Sequence, residues 1–545
     1  MQVIYHQSKQ EIRLRNGERG LDIARRYFGE HAGHILCMSC DCEMQSLNNV
    51  ISRKTHSISF YDIYDQHGAQ CLAVSSTALM LMAAEGLFPD SRISVEHSYG
   101  SGFFCEATNP DTLPPDYLAQ LEKKMREYIQ AGHEFEERIV SRTQIREFDY
   151  KRFRVLHNSS KEQIRIYDLC GFPHWFIAPL TPSAAYIRQF RITPYESGFV
   201  LEFPNNHYPD SIPPFTPGPN LFKVFRESEK RGNMLEIRNV SDLNERALGG
   251  RFMEAVQLYE ALHEKKIAQI ADSVSKNPGY RFIFIAGPSS SGKTTFMKRL
   301  SLQLRINGLK TLHLSLDDYF VEREDTPRDE NGEYDYEHFH AIDHALLDKQ
   351  LASLIKGEAV RLPRFLFNDG KKVFDKDPTI LHKDEIMIIE GIHGLNPELA
   401  ARIPDNTKCR IYISALTQLN FNLYNRVSTS DTRLLRRMYR DLQFRGHSLE
   451  NTLLRWPSVR RGEARWIFPF QENADLYFNS ALEYEWAVFR GVLADKLAAI
   501  PVDSPVKVET ERLYRLLELF VPFEADLIPS TSIIKEFLGG SSFKY

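Results

Sequence analysis

The sequence predicts an α/β protein whose C-terminal half contains a doubly wound parallel sheet, preceded by two smaller α+β domains. Three observations predict this. Short apolar runs alternate with helical segments at 281–287, 311–316, 385–391 and 409–414, and this alternation is typical of parallel strands covered by helices on both faces. The chain has 545 residues, whereas a single hydrophobic core stops growing at about 250–300 residues, so several domains are expected. The N-terminal part instead shows short strands with isolated helices.

Composition excludes several classes of protein. Hydrophobic residues at 42% and charged residues at 26% describe a globular chain that is neither disordered nor fibrous. The formal net charge of -4 argues against nucleic-acid binding through bulk charge, although a local basic patch stays compatible with it. No signal peptide and no run of roughly 18 apolar residues is found, so we expect a cytoplasmic protein without a membrane segment. The seven cysteines, the closely spaced Cys37, Cys40 and Cys42 included, are predicted to be ordinary reduced thiols.

Composition shifts and breakers divide the chain. Helices are predicted over 21–27, 75–86 and 251–275, and the Pro-rich stretch PPFTPGP marks the clearest boundary. The predicted units are 1–62, 63–205, a Pro-rich linker with a connecting helix at 206–275, the large α/β unit at 276–500, and a C-terminal extension at 501–545.

A phosphate-binding loop is the most specific motif. The segment GPSSSGKT from Gly287 to Thr294 fits G-x-x-x-x-G-K-[ST] and lies between a predicted strand and a predicted helix. Backbone N–H groups of such a loop surround phosphate oxygens, Lys293 supplies a mobile cation, and Thr294 offers a hydroxyl to Mg²⁺. The predicted nucleotide contacts are Gly287, Ser289, Ser290, Ser291, Gly292, Lys293, Thr294 and Thr295.

Carboxylates follow two of the predicted strands. Asp317 lies at the end of the strand that precedes it, where ligands bind in open α/β sheets, and it is the candidate base for an acceptor hydroxyl. A capping role or contact with Mg²⁺-bound water is the alternative for Asp317. Glu390 ends the strand IMIIE and is the candidate for holding Mg²⁺, with a solvated strand-end acid as the alternative.

A basic cluster follows further along the chain. Arg433, Arg436, Arg437 and Arg440 are spaced to share one helix face, with Arg445 just beyond and Ser430 or Asp431 as the expected N-cap. Arginines on a lid neutralise the charge of a transferring phosphoryl group. A solvated basic face is the ordinary alternative.

Residues 280–480 resemble the uridine kinase/phosphoribulokinase group of P-loop kinases through GPSSSGKTT, SLDDY, IIEGIHGL, RLLRRMYRDLQFRG and NADLYFNS. The resemblance implies a P-loop kinase fold, ATP and Mg²⁺ as cofactors, and Asp317 in the base position. It further implies Glu390 in the acidic position of its strand. The implied catalytic residues are Asp317, Lys293, Arg437 and Arg440, and the implied Mg²⁺ residues are Thr294 and Glu390.

The same resemblance implies a substrate set and contains departures. Glu337 falls where these kinases hold the nucleoside sugar, and Arg445 falls in the lid. Uridine kinases carry Tyr and His after the central proline, where this chain has Phe365 and Gly370, and the lid arginine after the Arg-Gly pair is His447. The expected substrate contacts are Glu337, Phe365, Arg445 and His447.

The first 205 residues resemble two modules of threonyl-tRNA synthetase. LRNGERGLDIARRYFG resembles a TGS domain, and LFPDSRISVEHSYGSGFFCE with YDLCGFPHW resembles the second additional domain. Cys170 and His174 match one half of that domain's metal-binding set, so the resemblance implies a vestigial metal site at these two residues. The other half falls on Val74 and Ala78, which cannot bind metal. His97 is either a third member of a rebuilt site with Cys170 and His174 or a hydrogen-bonded structural histidine.

These features together predict an ATP- and Mg²⁺-dependent kinase of a small-molecule hydroxyl, foremost the 5′-hydroxyl of a uridine- or cytidine-like nucleoside. The alternatives are an ATP-gated RNA-binding regulator, a kinase of a non-nucleoside alcohol and a residual deacylase. Expected partners are the small-molecule substrate, RNA through the N-terminal half, and a second copy of the chain in a homo-oligomer. The stretch Gly539-Gly540-Ser541 is either an anion-binding turn or part of a flexible terminus.

Overall fold

The structure, a computed structural model, describes residues 2–5, 8–11, 13–330, 332–367 and 369–545. Its strands are β1 (Gln2–Tyr5), β2 (Ser8–Glu11), β3 (Cys37–Cys40), β4 (Glu43–Gln45), β5 (Ser57–Tyr61), β6 (Ile93–Tyr99), β7 (Gly102–Ala107), β8 (Glu136–Ser141), β9 (Gln163–Leu169), β10 (Phe172–His174), β11 (Arg191–Tyr195), β12 (Gly198–Glu202), β13 (Phe282–Ala286), β14 (Lys310–Ser315), β15 (Pro363–Leu366), β16 (Lys371–Phe374), β17 (Glu385–Glu390), β18 (Lys408–Ser414) and β19 (Leu476–Asn479).

The α-helices follow in the same chain order. They are α1 (Gly20–Phe28), α2 (Gln66–Leu87), α3 (Tyr117–Ala131), α4 (Arg142–Ile145), α5 (Tyr150–Phe153), α6 (Pro219–Leu235), α7 (Val240–Leu248), α8 (Phe252–Ser275), α9 (Lys293–Ile306), α10 (His344–Ile355), α11 (Thr429–Phe444), α12 (Leu449–Trp466), α13 (Glu485–Ala498), α14 (Lys507–Leu517) and α15 (Lys535–Leu538).

A parallel sheet organises the C-terminal half. Its strand order is β14-β17-β13-β18-β19, and every neighbouring pair is parallel. Side chains of β13 alternate between two cores: Ile283 and Ile285 pack with α8 and α9, while Phe282 and Phe284 pack on the side of α10. Helices therefore cover both faces. The predicted doubly covered parallel sheet is confirmed, and the four predicted strands lie within one residue of the observed ones.

Three other sheets lie in the N-terminal part. The first, β2-β1-β5-β3-β4, packs with α1, which coincides with the helix predicted over 21–27. The others are the antiparallel sheets β11-β12-β7-β6 and β10-β9-β8. They pack in one core with α2 and α3. The α+β character expected for this part is therefore observed.

Helix α2 is longer than the sequence indicated. It begins at Gln66 and not near residue 75. Its N-cap is Asp65, whose side chain accepts a hydrogen bond from the His67 N–H. In the described part of the chain, α2 alone has the length and apolar composition needed to cross a membrane, and 72% of its most apolar stretch is buried inside the protein. This burial identifies α2 as a core helix of the fold, so the described residues contain no clear membrane helix.

Helices dominate the connection and the C-terminal extension. The stretch predicted as a linker with one connecting helix contains three helices, α6, α7 and α8. Helix α14 packs with α13 in a shared core. The segment 533–545 contains α15 and returns to the first turn of α9, where it makes side-chain contacts. In this structure the segment is therefore packed against α9.

Candidate functional site

The phosphate-binding loop joins the central strand β13 to α9, as predicted. A Cβ atom on Gly287 would lie 1.9 Å from the Ile413 carbonyl oxygen, so the backbone of β18 leaves room only for glycine. Gly292 has φ +85° and Ser290 has φ +59°, and these left-handed conformations fold the loop back on itself. Ser290 carries a side chain in this region, which is the kind of strain that accumulates at functional sites.

Polar groups of the loop face inward. The Lys293 ammonium donates to the carbonyl oxygens of Gly287 at 3.1 Å and Pro288 at 3.2 Å. The buried hydroxyls of Ser290 and Ser291 have no hydrogen-bond partner within the described ranges. Backbone N–H groups in the first turn of α9 lie beside them and have no acceptor within the helix. This set of donors fits an anion such as the phosphates of ATP.

Thr294 and Glu390 lie together at the carboxyl edge of the sheet. The Thr294 hydroxyl donates to Glu390 Oε1 at 3.4 Å, and the Ser315 hydroxyl reaches the same oxygen at 3.4 Å. Burial raises the pKa of Glu390 to about 7, and the nearby Lys293 opposes this rise. A carboxylate with adjacent hydroxyl oxygens suits Mg²⁺, which prefers hard oxygen ligands and takes few of them from protein.

Asp317 lies after β14, facing the same edge. Its side chain is exposed, yet protein atoms on several sides reduce its hydration and raise the pKa of its carboxyl group. Lys293, Arg445 and Arg440 are close enough to lower that pKa in part. The structure therefore brings the predicted base together with the predicted loop lysine and two predicted lid arginines.

The arginine helix α11 begins two or three residues earlier than expected. Its N-cap is Ser428, whose hydroxyl accepts a hydrogen bond from the Asp431 N–H at 3.2 Å. The expected caps, Ser430 and Asp431, lie inside the first turn, so that prediction is wrong. Asp431 instead forms a bidentate ion pair with Arg512 of α14.

Two of the predicted lid arginines are buried and donate hydrogen bonds to backbone carbonyl oxygens of the phosphate-binding loop. Arg433 is buried against Glu463 of α12 and donates to the Ser289 carbonyl oxygen at 3.1 Å. Arg436 is buried against Glu485 of α13, with contacts of 2.6 and 2.9 Å. It also reaches the loop at the Ser290 carbonyl oxygen, at 3.4 Å. Neither the lid interpretation nor the solvated face applies to Arg433 and Arg436.

The remaining three arginines meet at one carboxylate. Asp441 is buried and contacts Arg440 Nη2 at 2.9 Å, Arg437 Nε at 3.4 Å and Arg445 Nε at 3.6 Å. Arg437 also donates to the Ser289 hydroxyl at 2.9 Å. Burial lowers the pKa values of Arg437 and Arg445, and Asp441 opposes the effect in both. Asp441 thus holds three cations beside the loop.

Glu337 faces this cluster. Burial raises the pKa of its carboxyl group to about 7, while Arg437 and Lys293 lower it. Glu337 Oε2 is buried and has no hydrogen-bond partner among the residues that the structure describes. The predicted sugar-binding acid is therefore close to the predicted catalytic residues and has a free acceptor.

Two of the three departures from the uridine kinase pattern, Phe365 and His447, have defined contacts. Phe365 is 5% exposed and packs against Phe320 and Phe367, with ring centroids 5.7 and 5.2 Å apart. Its N–H donates to Asp318 beside the predicted base. His447 is half-buried, and its N–H donates to the Asp441 carbonyl oxygen at 3.2 Å.

Cys170 and His174 contact different partners. Cys170 lies in an exposed turn and approaches the Tyr128 hydroxyl at 3.8 Å. His174 is buried, and its Nε2 atom lies 3.1 Å from Glu85 and 2.9 Å from Arg152. No group of three or more His, Cys, Asp or Glu side chains suited to a metal ion occurs within the described ranges. These contacts explain His174 as part of a polar cluster.

His97 is enclosed by aromatic rings. It stacks on Phe225 with ring centroids 4.0 Å apart, and burial moves its pKa well below the ordinary value. These contacts fit the structural-histidine alternative. The expected hydrogen bond is lacking at one ring nitrogen, since Nε2 has no partner in the part of the chain that is described.

Several residues of the site escaped the sequence analysis. Asp441 lies inside the segment RLLRRMYRDLQFRG, and Ser480 lies inside NADLYFNS. These motifs indicated the region but not the roles of the two residues. The Ser480 hydroxyl donates to the Ser291 carbonyl oxygen. Glu463 and Glu485 carry no local signal. Glu536, which contacts Thr295, lies outside every motif.

The C-terminal region is similar in sequence to known proteins. Residues 282–485 match the Phosphoribulokinase / Uridine kinase family. A uridine kinase of Staphylococcus aureus is 30% identical over 196 residues, which are 36% of this chain and 84% of that protein. A uridine kinase of Ligilactobacillus salivarius is 27% identical over 207 residues, 38% of this chain and 88% of that protein. A solved structure described as a possible uridine kinase from Bacillus stearothermophilus shares 24% identity and a TM-score of 0.24, covering 27% of this chain and 79% of that one. Through its C-terminal region the chain belongs to the phosphoribulokinase/uridine kinase family and is a P-loop kinase that transfers phosphate to an alcohol.

Proposed function

We propose that this kinase uses ATP and Mg²⁺ to phosphorylate the 5′-hydroxyl of a nucleoside, with uridine- or cytidine-like nucleosides as the leading acceptors. The observation that carries the proposal is the position of Asp317 directly after β14, at the end of the sheet that holds the loop and within electrostatic range of Lys293, Arg440 and Arg445. Such a carboxylate next to a phosphate site serves an alcohol acceptor.

Asp317 takes the proton of the acceptor hydroxyl as its oxygen attacks the γ-phosphorus of ATP. A new P–O bond forms to the acceptor, the bond between the γ-phosphorus and the bridging β–γ oxygen breaks, and ADP leaves with the electron pair. Burial raises the pKa of Asp317 and makes it a better proton acceptor than an ordinary aspartate, while Lys293, Arg445 and Arg440 oppose that rise.

Cations neutralise the charge of the transferring group. Lys293 lies in the loop with its ammonium free to move from the carbonyl oxygens it now contacts to the outer phosphates. Arg437 and Arg440, held by Asp441, approach from α11. Thr294 and Glu390 would hold Mg²⁺, which spreads the negative charge of the phosphates when bound.

Glu337 supports the choice of a sugar-bearing acceptor. Its buried Oε2 lacks a partner among the described residues, and an unsatisfied carboxylate oxygen accepts hydrogen bonds from the hydroxyls of a ribose. Phe365 and His447 occupy positions at which uridine kinases carry other residues. We propose that these two residues contact the base of the nucleoside, and that the base is a pyrimidine. A non-nucleoside alcohol is the second outcome of the same test.

A panel of nucleosides and sugars, each incubated with ATP and Mg²⁺, tests the proposal through steady-state kinetics. Asp317→Asn should reduce kcat by at least about 100-fold for the best acceptor, the loss expected for a general base. Asp377→Asn, the same change at an exposed position, is the matched control and should keep full activity. Turnover of sugars alone would replace the nucleoside by another alcohol, and unchanged kcat in Asp317→Asn would remove the base.

The proposal extends to the organisation of the whole chain. We place the domain boundaries near residues 62, 205, 275 and 500, which separate the sheet of β1–β5, the sheets of β6–β12 and the parallel sheet. The TGS-like and synthetase-like identity of the first two units rests on the sequence motifs. Their contact with RNA, the homo-oligomer and a cytoplasmic location stay predictions on the same basis.

A further inference from the structure

A carboxylate from the 533–545 segment lies on the phosphate-binding loop's helix. Glu536 Oε2 accepts hydrogen bonds from the Thr295 N–H at 3.0 Å and from the Thr295 hydroxyl at 2.7 Å. The Tyr545 hydroxyl lies 2.7 Å from the same threonine hydroxyl. Thr295 is the third residue of α9, so its N–H belongs to the donors that a helix start offers to an anion.

Packing holds the backbone on both sides of this carboxylate in place. Ile533 and Phe537, on either side of Glu536, are fully buried in the core beneath the parallel sheet. Ile533 covers the loop itself, since a Cβ atom on Gly292 would lie 2.4 Å from its Cγ2 atom. The Arg436 guanidinium lies 5.3 Å from the centre of the Phe537 ring. The contact is therefore built into the fold and does not depend on a loose chain end.

Residues 544 and 545, which follow α15, contact the first two turns of α9. Lys298 of α9 lies 5.4 Å from the centre of the Tyr545 ring and donates to the Lys544 carbonyl oxygen. Before them, Gly539 and Gly540 adopt φ values of +87° and +71°. Two consecutive left-handed glycines form a hinge at which residues 541–545 can leave while α15 stays packed.

The negative charge of Glu536 would repel a polyphosphate bound at the loop. Glu536 adds to Asp317 and Glu390 a third carboxylate at this edge of the sheet, and its charge is one of the influences that keep the pKa of Glu390 high, after burial. A phosphate oxygen and the Glu536 carboxylate cannot accept from the same two Thr295 donors at once. Binding of one requires the other to leave.

We propose that residues 536–545 form an autoinhibitory contact, in which the Glu536 carboxylate occupies phosphate-binding donors of Thr295 and Tyr545 closes over it. The nucleotide binds only after Glu536 swings away and residues 541–545 leave at the glycine hinge. This rests on the proposed use of ATP. Any ligand that held residues 541–545 away from the loop would activate the kinase.

Isothermal titration of the full chain with ATP tests the contact without knowledge of the acceptor. Glu536→Ala should lower the Kd for ATP about tenfold, the scale expected when hydrogen bonds to a charged acceptor no longer compete. Deletion of residues 541–545 should lower the Kd in the same direction by a smaller factor. Glu524→Ala, an exposed acid in the same extension, is the matched control and should leave the Kd unchanged.

Hydrogen exchange gives a second readout that needs no variant. Saturating ATP should speed the exchange of amides in 541–545 of the wild-type chain. An unchanged or raised Kd in Glu536→Ala, or slower exchange of 541–545 with ATP, would overturn the autoinhibitory contact while leaving the proposed function intact. ATP binding to neither the wild-type chain nor Glu536→Ala would overturn both proposals.

Discussion

The buried ion pair between Glu463 and Arg433 contacts the phosphate-binding loop at Ser289. The Glu463 carboxylate is 0% exposed. It accepts from Arg433 Nη2 at 2.9 Å, from Arg460 Nη1 at 2.9 Å and from the Ser289 N–H at 3.2 Å. Burial alone would raise the pKa of Glu463, but Arg433 and Arg460 together bring it below its usual value. The residue is therefore ionised at neutral pH.

Glu463→Gln keeps the shape of the side chain and removes its charge. Arg433 is 1% exposed, so its guanidinium cannot reach water when its partner is neutral, whereas the Arg460 side chain at 30% exposure can. Breaking a buried pair by removing one charge costs about 3–5 kcal/mol of folding free energy. We expect the variant to lose an amount in this range, most of it from Arg433.

Urea unfolding followed by tryptophan fluorescence measures the loss. One of the four tryptophans, Trp456, has its ring centre 5.5 Å from the Arg433 guanidinium. Glu398→Gln, at an exposed position, should change the unfolding free energy by no more than about 0.5 kcal/mol.

The double variant Arg433→Met with Glu463→Leu leaves no unpaired buried charge at Arg433 and should recover most of the stability. Its affinity for ATP should nevertheless remain below that of the wild-type chain, because the Ser289 N–H and carbonyl oxygen have lost their partners. A loss below about 1 kcal/mol in Glu463→Gln would refute the reasoning, since it lies well outside the range for a buried pair.

Three further predictions concern the site. Asp441→Asn should lower kcat/KM about 10–100-fold in steady-state assays, because Arg437, Arg440 and Arg445 lose their shared charged partner; wild-type kinetics would contradict this. Glu390, whose pKa is about 7, is protonated below that pH and ionised above it, and Mg²⁺ needs the ionised form. The Mg²⁺ concentration for half-activation should therefore fall as the pH rises from about 6 to about 8, and Glu390→Gln should lose this dependence; equal pH sensitivity of the variant would count against Glu390. Gly287→Ala places a Cβ atom against the Ile413 carbonyl oxygen, so calorimetry should show at least about tenfold weaker ATP binding, and unchanged affinity would show that the loop adapts.

Local patterns predicted the parallel strands and the loop at the centre of the candidate site. The strands of the parallel sheet are short apolar runs, and the loop motif specifies its own backbone, so both were predicted from neighbouring residues alone. Asp317 and Glu390 followed because each directly continues a strand, and parallel strands place such residues at one edge.

Contacts between distant residues were beyond these patterns. Arg433 and Arg436 have helical spacing like their neighbours, but their partners Glu463 and Glu485 lie 30 and 49 residues further along the chain. Spacing alone could not distinguish a buried ion pair from a lid. The contact from Glu536 to Thr295 spans 241 residues, and the glycine-rich stretch after Glu536 is typical of a flexible end.

The most direct test of the account is the identity of the phosphorylated product. Wild-type protein incubated with ATP, Mg²⁺ and uridine or cytidine should form the nucleoside 5′-monophosphate in an amount equal to the ADP released, as measured by ³¹P NMR and mass spectrometry. Lys293→Ala should abolish both products, since the loop loses its mobile cation. ADP formed without any phosphorylated nucleoside, or phosphate found at a 2′- or 3′-hydroxyl, would contradict the proposed acceptor and the role given to Asp317.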